Sequence, residues 1–459
     1  MENCVRQYLT SKGYSISDVP YAVINMCDTW YRNECDPDFH RRKTVQGIDY
    51  EMQRLGFGKR VCSDDANLCE VLEINPGQKA EEFITSTLRD NNFLVKYREQ
   101  LEQCSAEGTT GAYIAIENAD VLEDDTLLNG KLSIVYCNAA GIVPLTVQDG
   151  IVTECAFSGT NIATGKKVVY LTIFTLENGE YVSENTKFDE RGNITDTFSV
   201  QLGNVKPFSI LRNAEVNNIR HMDGFGYPKL YSAIPALRAV DLAWNVFDGD
   251  LDKSDKLLLV NELLCSFDAD GKPITPNDQA KKVFCMVGRE RLPDEKQLVQ
   301  EYNPTIRVDD VTKALELALS MLSMKFGFGN KRYTFEQGQI KTATEYIGAR
   351  QDAMQELNKQ RGCAETYIRE LCNALVWFSN HFFGTDYLID DLQIQFDDSY
   401  IEDKASKLES MRADAVSFQD IPILKVWYLM EKYNLDEEEA TKYVQQGISG
   451  DGFTEEPED

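Results

Sequence analysis

The stretch GFGNKRYTFEQG, residues 327–338, combines cations, aromatic rings and glycines, the residue types that contact nucleic acids. Its candidate contact residues are Gly327, Gly329, Asn330, Lys331, Arg332 and Tyr333. The two cations can touch phosphate, the rings can stack or pack, and the glycines allow backbone conformations that other residues resist. Two interpretations stay open: a mobile loop that contacts phosphate, or a surface connection whose aromatic rings fold back on the core.

Clustered carboxylates occur in DGDLDKSD, residues 248–255, where Asp248, Asp250 and Asp252 alternate as in a calcium loop. The glycine of the sixth position and the glutamate of the twelfth are replaced by Lys253 and Leu259. A solvated acidic helix end is the simpler interpretation. A metal-dependent nuclease that uses these carboxylates is the alternative from the enzyme class.

Other enzyme signatures are weak. GTNIATGKK, residues 159–167, resembles a phosphate loop, but the spacing is wrong and a hairpin turn at Gly165 fits better. The sequence has no HExxH, GxSxG or CxxC motif, and its three histidines offer little to a zinc site. The twelve cysteines are dispersed, which favours free thiols in a reducing cytoplasm. We therefore predict no enzyme activity, no catalytic residue, no metal and no cofactor.

The charge balance argues against a tight DNA-binding protein. The 459-residue chain carries 47 basic and 75 acidic residues, a formal net charge of −28. Affinity for a duplex depends on cations that displace counterions from phosphate, and this chain as a whole repels phosphate. A protein that DNA passes without adhering remains compatible with that charge. No apolar run reaches the length of about 18 residues that spans a bilayer, and no apolar N-terminal segment indicates secretion.

The elements that position these residues predict an α+β fold. Residues 1 to about 110 show helical spacing, and from Gly111 strand-like segments alternate with the turn signals QDG, ATGK, LENGE and ERGN. This pattern predicts an antiparallel meander on a helical layer. A small α/β patch is expected over residues 256–307, and two more helices are expected in the last seventy or so residues.

Two helices are predicted on either side of that patch. The first has one narrow apolar stripe, with Pro235 expected in the first turn, where its missing N–H costs nothing. The stripe comprises Leu237, Val240, Trp244, Phe247 and Leu251. Its spacing is equally compatible with the chain's own core and with a contact to a neighbouring copy. Asp309 or Asp310 is expected to cap the second helix.

The longest helical pattern begins directly after the loop. Thr342 and Glu345 in TATE fit a capping box, and the apolar spacing continues to Phe383. A helix of this length measures roughly 60 Å at 1.5 Å per residue. Gly348 and Gly362 are candidate bends in it.

In this order, the segments resemble the portal proteins of tailed bacteriophages, specifically those of long-tailed phages of Gram-positive hosts. The matching segments are RVCSDDANLCEVLEI, NNFLVKYREQLEQCSAEGTTGAYI, IVPLTVQDGIVTECAF, KKVVYLTIFTLENGEYVSENTKF and FGFGNKRYTFEQGQIKTATEY. The resemblance covers most of the chain, from about residue 60 to 410. TATE after a glycine-rich segment, in this order, is fairly specific to the family.

The resemblance implies a portal fold with seven parts. These are a wing (1–225), a first stem helix (226–256), a clip (257–308), a second stem helix (309–325), a tunnel loop (326–341), a long kinked wing helix (342–385) and a crown or C-terminal region (386–459). It also implies a ring, typically a dodecamer, at one capsid vertex of the virion, assembled in the host cytoplasm. Double-stranded DNA would pass through the channel during packaging and ejection.

The partners that the resemblance implies are the terminase, the scaffold, the major capsid protein and the head–tail connector, with no membrane. The terminase would supply the energy, because nothing in this sequence binds nucleotide convincingly. Another virion structural protein, a minor capsid or adaptor component, is the second alternative. It differs from a portal in whether the chain closes a ring by itself.

Overall fold

The structure is a computed structural model of the chain. It describes residues 2–43, 47, 49–117, 120–121, 127–128, 130–163, 165–252, 254, 257–261, 266–267, 269, 273–274, 284–287, 299–302, 305–329, 332–333, 343–397, 404–417, 421–433 and 435–448. The chain divides into two compact units. One comprises residues 1–69 and 74–393, and the other comprises residues 70–73 and 394–459.

The helices are α1 (Asn3–Ser11), α2 (Val19–Tyr31), α3 (Pro37–His40), α4 (Phe57–Ala66), α5 (Glu81–Asp90), α6 (Phe93–Glu107), α7 (Lys229–Asp252), α8 (Val308–Lys325), α9 (Ala343–Phe383), α10 (Lys404–Ser417), α11 (Pro422–Tyr433) and α12 (Glu437–Ile448). The strands are β1 (Arg41–Lys43), β2 (Asp49–Glu51), β3 (Val71–Asn75), β4 (Thr109–Glu117), β5 (Asp120–Val121), β6 (Leu127–Leu128), β7 (Lys131–Asn138), β8 (Ile142–Gln148), β9 (Ile151–Ala163), β10 (Lys166–Glu177), β11 (Glu180–Phe188), β12 (Ile194–Gly203), β13 (Phe208–Arg212), β14 (Leu257–Asn261), β15 (Ser266–Phe267), β16 (Pro273–Ile274), β17 (Phe284–Val287), β18 (Val299–Tyr302) and β19 (Gln393–Phe396). The predicted α+β class is confirmed.

The predicted antiparallel meander is the five-stranded sheet β12-β11-β10-β9-β8. Its hairpins form where the turn signals predict them. Asp149 and Gly150 have φ of +50° and +79°, and Asn178 and Gly179 have φ of +52° and +90°. Two consecutive positive φ angles define the tight turn whose twist matches two adjacent strands, and Asx-Gly adopts it most readily. The expected hairpin at Gly165, between β9 and β10, is confirmed as well.

The middle of the meander is covered on both faces. Val5 and Leu9 of α1 pack on one face, in a cluster with Leu171 and Ile173 of β10. On the other face, Phe157 and Phe174 meet Tyr113 of β4 and Phe208 of β13, with ring centroids 5.2–5.5 Å apart. Alternate residues of a strand point to opposite faces, so the near-continuous apolar run of β10 reflects burial on both sides.

Helix α6 is joined to β4 by a turn that requires glycine. Gly108 has φ of +86°, and its N–H donates to the Cys104 carbonyl. A Cβ at this position would lie 2.5 Å from the Gly226 carbonyl oxygen and 2.7 Å from the Pro228 nitrogen. This close approach brings the end of α6 against the segment that leads into α7.

Helix α7 differs from its prediction at the N-terminus. It begins at Lys229, so Pro235 lies inside the helix and not in its first turn. The reason is tertiary. Lys229 is buried in an ion pair with Asp65 of α4, and this contact holds a helical turn before the proline. The helix also continues through the GDL segment to Asp252.

Two further expectations for helix ends have different outcomes. The N-cap of α8 is Arg307 and neither of the predicted aspartates. Asp309 and Asp310 lie in its first turn, where carboxylates interact favourably with the helix dipole.

The long helix is confirmed as α9, with 41 residues that end at Phe383 as predicted. The C-terminal half of α9 is anchored in the core by buried residues that include Tyr367, Leu371 and Leu375.

Between α7 and α8 the described residues form strands. β14 pairs in parallel with β17 and antiparallel with β18, and β15 pairs with β16. The strand-like LLLV and VFCMV segments of the predicted patch correspond to β14 and β17.

The second unit contains the chain's C-terminal helices. Three helices are described there, α10 to α12, where the sequence predicted two. Val426, Ala440 and Val444 form its small core. The backbone N–H of Asp397 donates to the Glu70 carbonyl at 2.8 Å.

Candidate functional site: the α7/α8 hairpin and the loop after α8

Helices α7 and α8 pack side by side as an antiparallel hairpin. Their direction follows from an ion pair at one end. The Arg307 guanidinium donates to both carboxylate oxygens of Asp250, at 2.8 and 2.9 Å. The end of α7 therefore lies beside the start of α8.

The predicted stripe on α7 comprises Leu237, Val240, Trp244, Phe247 and Leu251. Its first two residues are buried in the chain's own core, at 2% and 0% exposure. Trp244 and Phe247 are half-buried, and the indole N–H of Trp244 donates to Gln53 at 3.2 Å. Leu251 is 43% exposed. The chain's own core therefore accounts for the first end of the stripe, and contact with a neighbouring copy stays a prediction for the outer end.

Several apolar side chains on the hairpin face solvent in the single chain. On α7 these are Leu242 and Val246; on α8 Leu317, Met321 and Met324 are 66%, 46% and 57% exposed. The three α8 residues are spaced by four and then three, so they share one face. Sequence reasoning missed this face. The available signal was that ALELALSMLSM is apolar on more than one side, which predicts burial on more than one side.

The loop after α8 begins with a helix-ending motif. Gly327, with φ of +74°, follows the last turn, and the N–H of Phe328 donates to the Ser323 carbonyl at 3.1 Å. The N–H of Gly327 donates to the Met324 carbonyl at 3.2 Å. This pair of bonds is the Schellman motif, in which a left-handed glycine closes the helix. Gly327 therefore terminates α8.

The aromatic residues at the start of this loop fold back on the core, as the second interpretation expected. Phe326 and Phe328 are 0% and 5% exposed, with their rings stacked at 6.1 Å. A Cβ on Gly327 would meet the Glu356 side chain of α9 at 2.2 Å. The loop thus starts pressed between α8 and α9, and Gly329 continues it with φ of +73°.

Further along the loop, Arg332 and Tyr333 converge on Asp64 of α4. The Tyr333 hydroxyl donates to the Asp64 carboxylate at 2.7 Å, and the Arg332 guanidinium lies 3.5 Å from its other oxygen. Arg60 donates to the same carboxylate at 3.1 Å. Burial, together with the bond to Asp64, raises the pKa of the Tyr333 phenol. Phe57 contacts the Tyr333 ring edge-on at 6.1 Å.

Asp65, the neighbour of Asp64, joins two other elements. Its carboxylate accepts from the Lys229 ammonium at 2.9 Å and from the Ser105 hydroxyl at 2.7 Å. Burial lowers the pKa of Lys229, but the charge and hydrogen bond of Asp65 outweigh it and the net shift is upward. The aspartate pair of α4 therefore ties together α6, the start of α7 and the loop after α8.

Sequence reasoning missed Asp64 and Asp65. The available signal was the segment RVCSDDA, in which two adjacent carboxylates sit among small and apolar residues of a short helix. Carboxylates are almost never buried without a partner, so such a pair indicates cations or donors elsewhere in the chain.

Four predicted site residues cannot be placed. Asn330, Lys331 and Thr342 lie outside the described residues, and for Glu345 only the helical backbone is described. The capping box at the start of α9 therefore stays a prediction.

Two of the three clustered carboxylates at the end of α7 are engaged in contacts within the chain. Asp250 binds Arg307, and Asp248 accepts from the Gln53 amide at 3.0 Å. Within the described part of the chain, no three His, Cys, Asp or Glu side chains are grouped to hold a metal ion. In the same part, no helix is both long and apolar enough to cross a membrane.

The chain resembles known proteins in its three-dimensional structure. No family model and no curated protein sequence matches the chain. Two solved structures resemble it at a TM-score of 0.41 and 12% identity. The neck of an empty GTA particle, computed with C6 symmetry, covers 79% of this chain and 86% of its own. The neck of a native GTA particle, computed with C12 symmetry, covers 81% and 89%.

Proposed function

We propose that the chain is a portal protein, one subunit of a ring-shaped channel at a single capsid vertex of a tailed phage. The observation that carries the proposal is the apolar face of the hairpin, where Leu317 is 66% exposed and Met324 57%. Exposed apolar side chains that share one helix face favour an interaction site there. The sequence resemblance supports a neighbouring copy as the occupant, and a face that meets a different face of the next copy generates a ring.

The acidic charge suits a channel for DNA. With a net charge of −28 per chain, a ring of such chains as a whole repels the duplex. Each retained phosphate contact strengthens binding and so opposes sliding. In this proposal the wing, stem, clip, tunnel loop and crown have the boundaries given by the sequence resemblance. The terminase, scaffold, capsid protein and connector are its partners.

Ring formation tests the proposal directly. Native mass spectrometry and negative-stain images of the purified chain should show closed rings of the dodecameric class with a central hole. Leu317→Glu places a charge on the apolar α8 face and should leave a small species with an unchanged unfolding midpoint. Val216→Glu is the matched control, because Val216 is 88% exposed on a loop before α7 and should tolerate the charge.

Three results would contradict the proposal. If Leu317→Glu forms rings as readily as the unmodified chain, the apolar face is not the contact between copies. If the unmodified chain stays small and also cleaves DNA with added magnesium or manganese, the nuclease alternative is correct. If it adds to a ring made by a different protein without closing one itself, it is an adaptor.

The loop cations give a second test. We expect Lys331 and Arg332 to supply the few transient phosphate contacts that retain packaged DNA. Replacing both with alanine should reduce retention in filled particles. Unchanged packaging and unchanged retention would contradict this role.

A further inference from the structure

We propose that the exposed apolar face of α8 in one copy of the chain packs on a matching exposed face of α7 in the next copy. Large side chains of one helix lie opposite small side chains of the other. This inference rests on the proposed function and names the surface that the α8 face meets. The α8 face comprises Ala314, Leu317, Met321 and Met324, and the α7 face comprises Tyr231, Pro235, Ala239, Leu242 and Val246.

The α7 face is a second exposed apolar surface on the hairpin. Its residues are spaced by four, four, three and four, so they lie on one side of the helix. All five are exposed in the single chain, and none is charged. This face lies apart from the predicted stripe of α7, which begins in the chain's own core. The hairpin therefore carries one uncharged, uncovered face on each of its two helices.

The ion pair between Asp250 and Arg307 sets which residues of the two helices lie at the same height. Both helices rise by about 1.5 Å per residue, so positions equally far from this pair are level in the antiparallel hairpin. Ala239 lies eleven residues before Asp250, and Leu317 lies ten residues after Arg307. The smallest side chain in the α7 face and the most exposed side chain in the α8 face are therefore level to within one residue.

Two more pairs follow the same count. Leu242 and Ala314 lie eight and seven residues from the ion pair, and Pro235 and Met321 lie fifteen and fourteen residues from it. In all three pairs a large side chain is level with a small or compact one. The large member is on α8 twice and on α7 once. Facing layers interdigitate when large residues lie opposite small ones, so the two faces fit each other in size as well as in polarity.

A ring preserves these heights. Copies in a closed ring are related by rotation about one axis, so a hairpin that runs along the axis meets its neighbour without a shift in height. The α8 face of one copy then meets the α7 face of the next along its length. Each copy offers a different face to each of its two neighbours. Such head-to-tail contacts repeat until the ring closes.

Engineered disulfides test the pairing and its height. Under mild oxidation, Ala239→Cys combined with Leu317→Cys should link copies into a ladder of products above the dimer on non-reducing gels. A disulfide needs Cα atoms about 4.4–6.8 Å apart, so the link reports facing positions. Ala239→Cys combined with Met324→Cys is the matched control, because seven residues shift the second thiol by roughly 10 Å along the helix. The single variants measure any cross-linking through the native cysteines.

Side-chain size tests the same contact without a covalent link. Ala239→Phe overfills the pair and should raise the concentration at which half of the chain is in rings by about tenfold or more, the effect of disrupting a central contact. Adding Leu317→Ala should recover most of this loss, because the new aromatic side chain fills the vacated space. Both positions are exposed in the single chain, so unfolding midpoints of the monomer should stay unchanged. Rings as stable in Ala239→Phe as in the unmodified chain would contradict the pairing.

The outcomes separate this inference from the proposed function. If Leu317→Glu abolishes the rings but the Ala239 and Leu317 cysteine pair gives no ladder, another surface meets the α8 face and only this inference is overturned. A link that stops at the dimer would show a two-fold contact and overturn the ring as well. Equal ladders from the test pair and the Met324 control would overturn the predicted heights. A chain that forms neither rings nor a ladder would refute both proposals.

Discussion

At each end of α7 an ion pair and apolar side chains occur together, but these residues are buried at the first end and exposed at the other. At the first end, Lys229 is buried against Asp65, and Leu237 and Val240 lie in the core. At the other end, Leu251 is 43% exposed and Asp250 pairs with an arginine that is itself exposed. One apolar stripe runs through both ends without interruption. Helical periodicity therefore predicts an apolar face, but it does not show how much of that face the chain itself buries.

The largest effect is expected from the buried ion pair at the first end. Asp65→Asn removes the direct ion-pair partner of the Lys229 ammonium, whose side chain is 3% exposed. Breaking a buried pair from one side costs about 3–5 kcal/mol. Denaturant unfolding should show this loss. Adding Lys229→Met should recover most of it, and a double variant as unstable as the single one would contradict the explanation.

A leucine pair compares the two ends directly. Leu237→Ala should lower the free energy of unfolding by about 2–5 kcal/mol, because it opens a cavity in the core. Leu251→Ala should change it by less than about 0.5 kcal/mol in the single chain. Equal losses, measured under conditions where the chain is monomeric, would show that the outer end is also part of the core.

Burial of Glu107 should also make the stability of the protein depend on pH. Burial and then the Asp28 carboxylate raise the pKa of Glu107 from 4.5 to about 8. The folded chain therefore holds a proton that the unfolded chain releases. This contribution to stability is complete below about pH 4.5, declines as the pH rises and is absent above about 8.

Glu107→Gln tests that dependence. The slope from this one group is at most about 1.4 kcal/mol per pH unit, and the glutamine variant should lack it. Unfolding midpoints measured from pH 5 to 8 for both proteins check the prediction. Parallel curves would show that Glu107 does not hold the proton.

The smallest effect is expected at the outer end. Arg307→Gln removes the pair with Asp250, but both partners can be solvated, since the Arg307 side chain is 60% exposed. Surface ion pairs contribute little to stability and are screened by salt. Thermal unfolding should barely change. A loss comparable to that of Asp65→Asn would mean that the two ends of α7 are not different environments.

Local features of this fold were predictable, and distant ones were not. Asp149-Gly150 and Asn178-Gly179 predict their hairpins because two residues contain the whole requirement for the turn. The end of α9 at Phe383 follows from a pattern that runs along one element. The anchor of Tyr333 on Asp64 depends on residues 269 positions apart, and no local rule relates them. The expectation of Pro235 in the first turn of α7 was wrong for the same reason, since Lys229 owes its helical turn to Asp65.

Pro235 gives α7 a mechanical property that a regular helix lacks. A proline has no N–H, so the bond from Pro235 back to the carbonyl of Tyr231 is missing, and this gap lies six residues after the buried Lys229. A helix that lacks one backbone hydrogen bond is less stiff at that position. The first turn is clamped by Asp65, and Leu237 and Val240 anchor the turns after the proline in the core, so packing on both sides of Pro235 opposes a bend there.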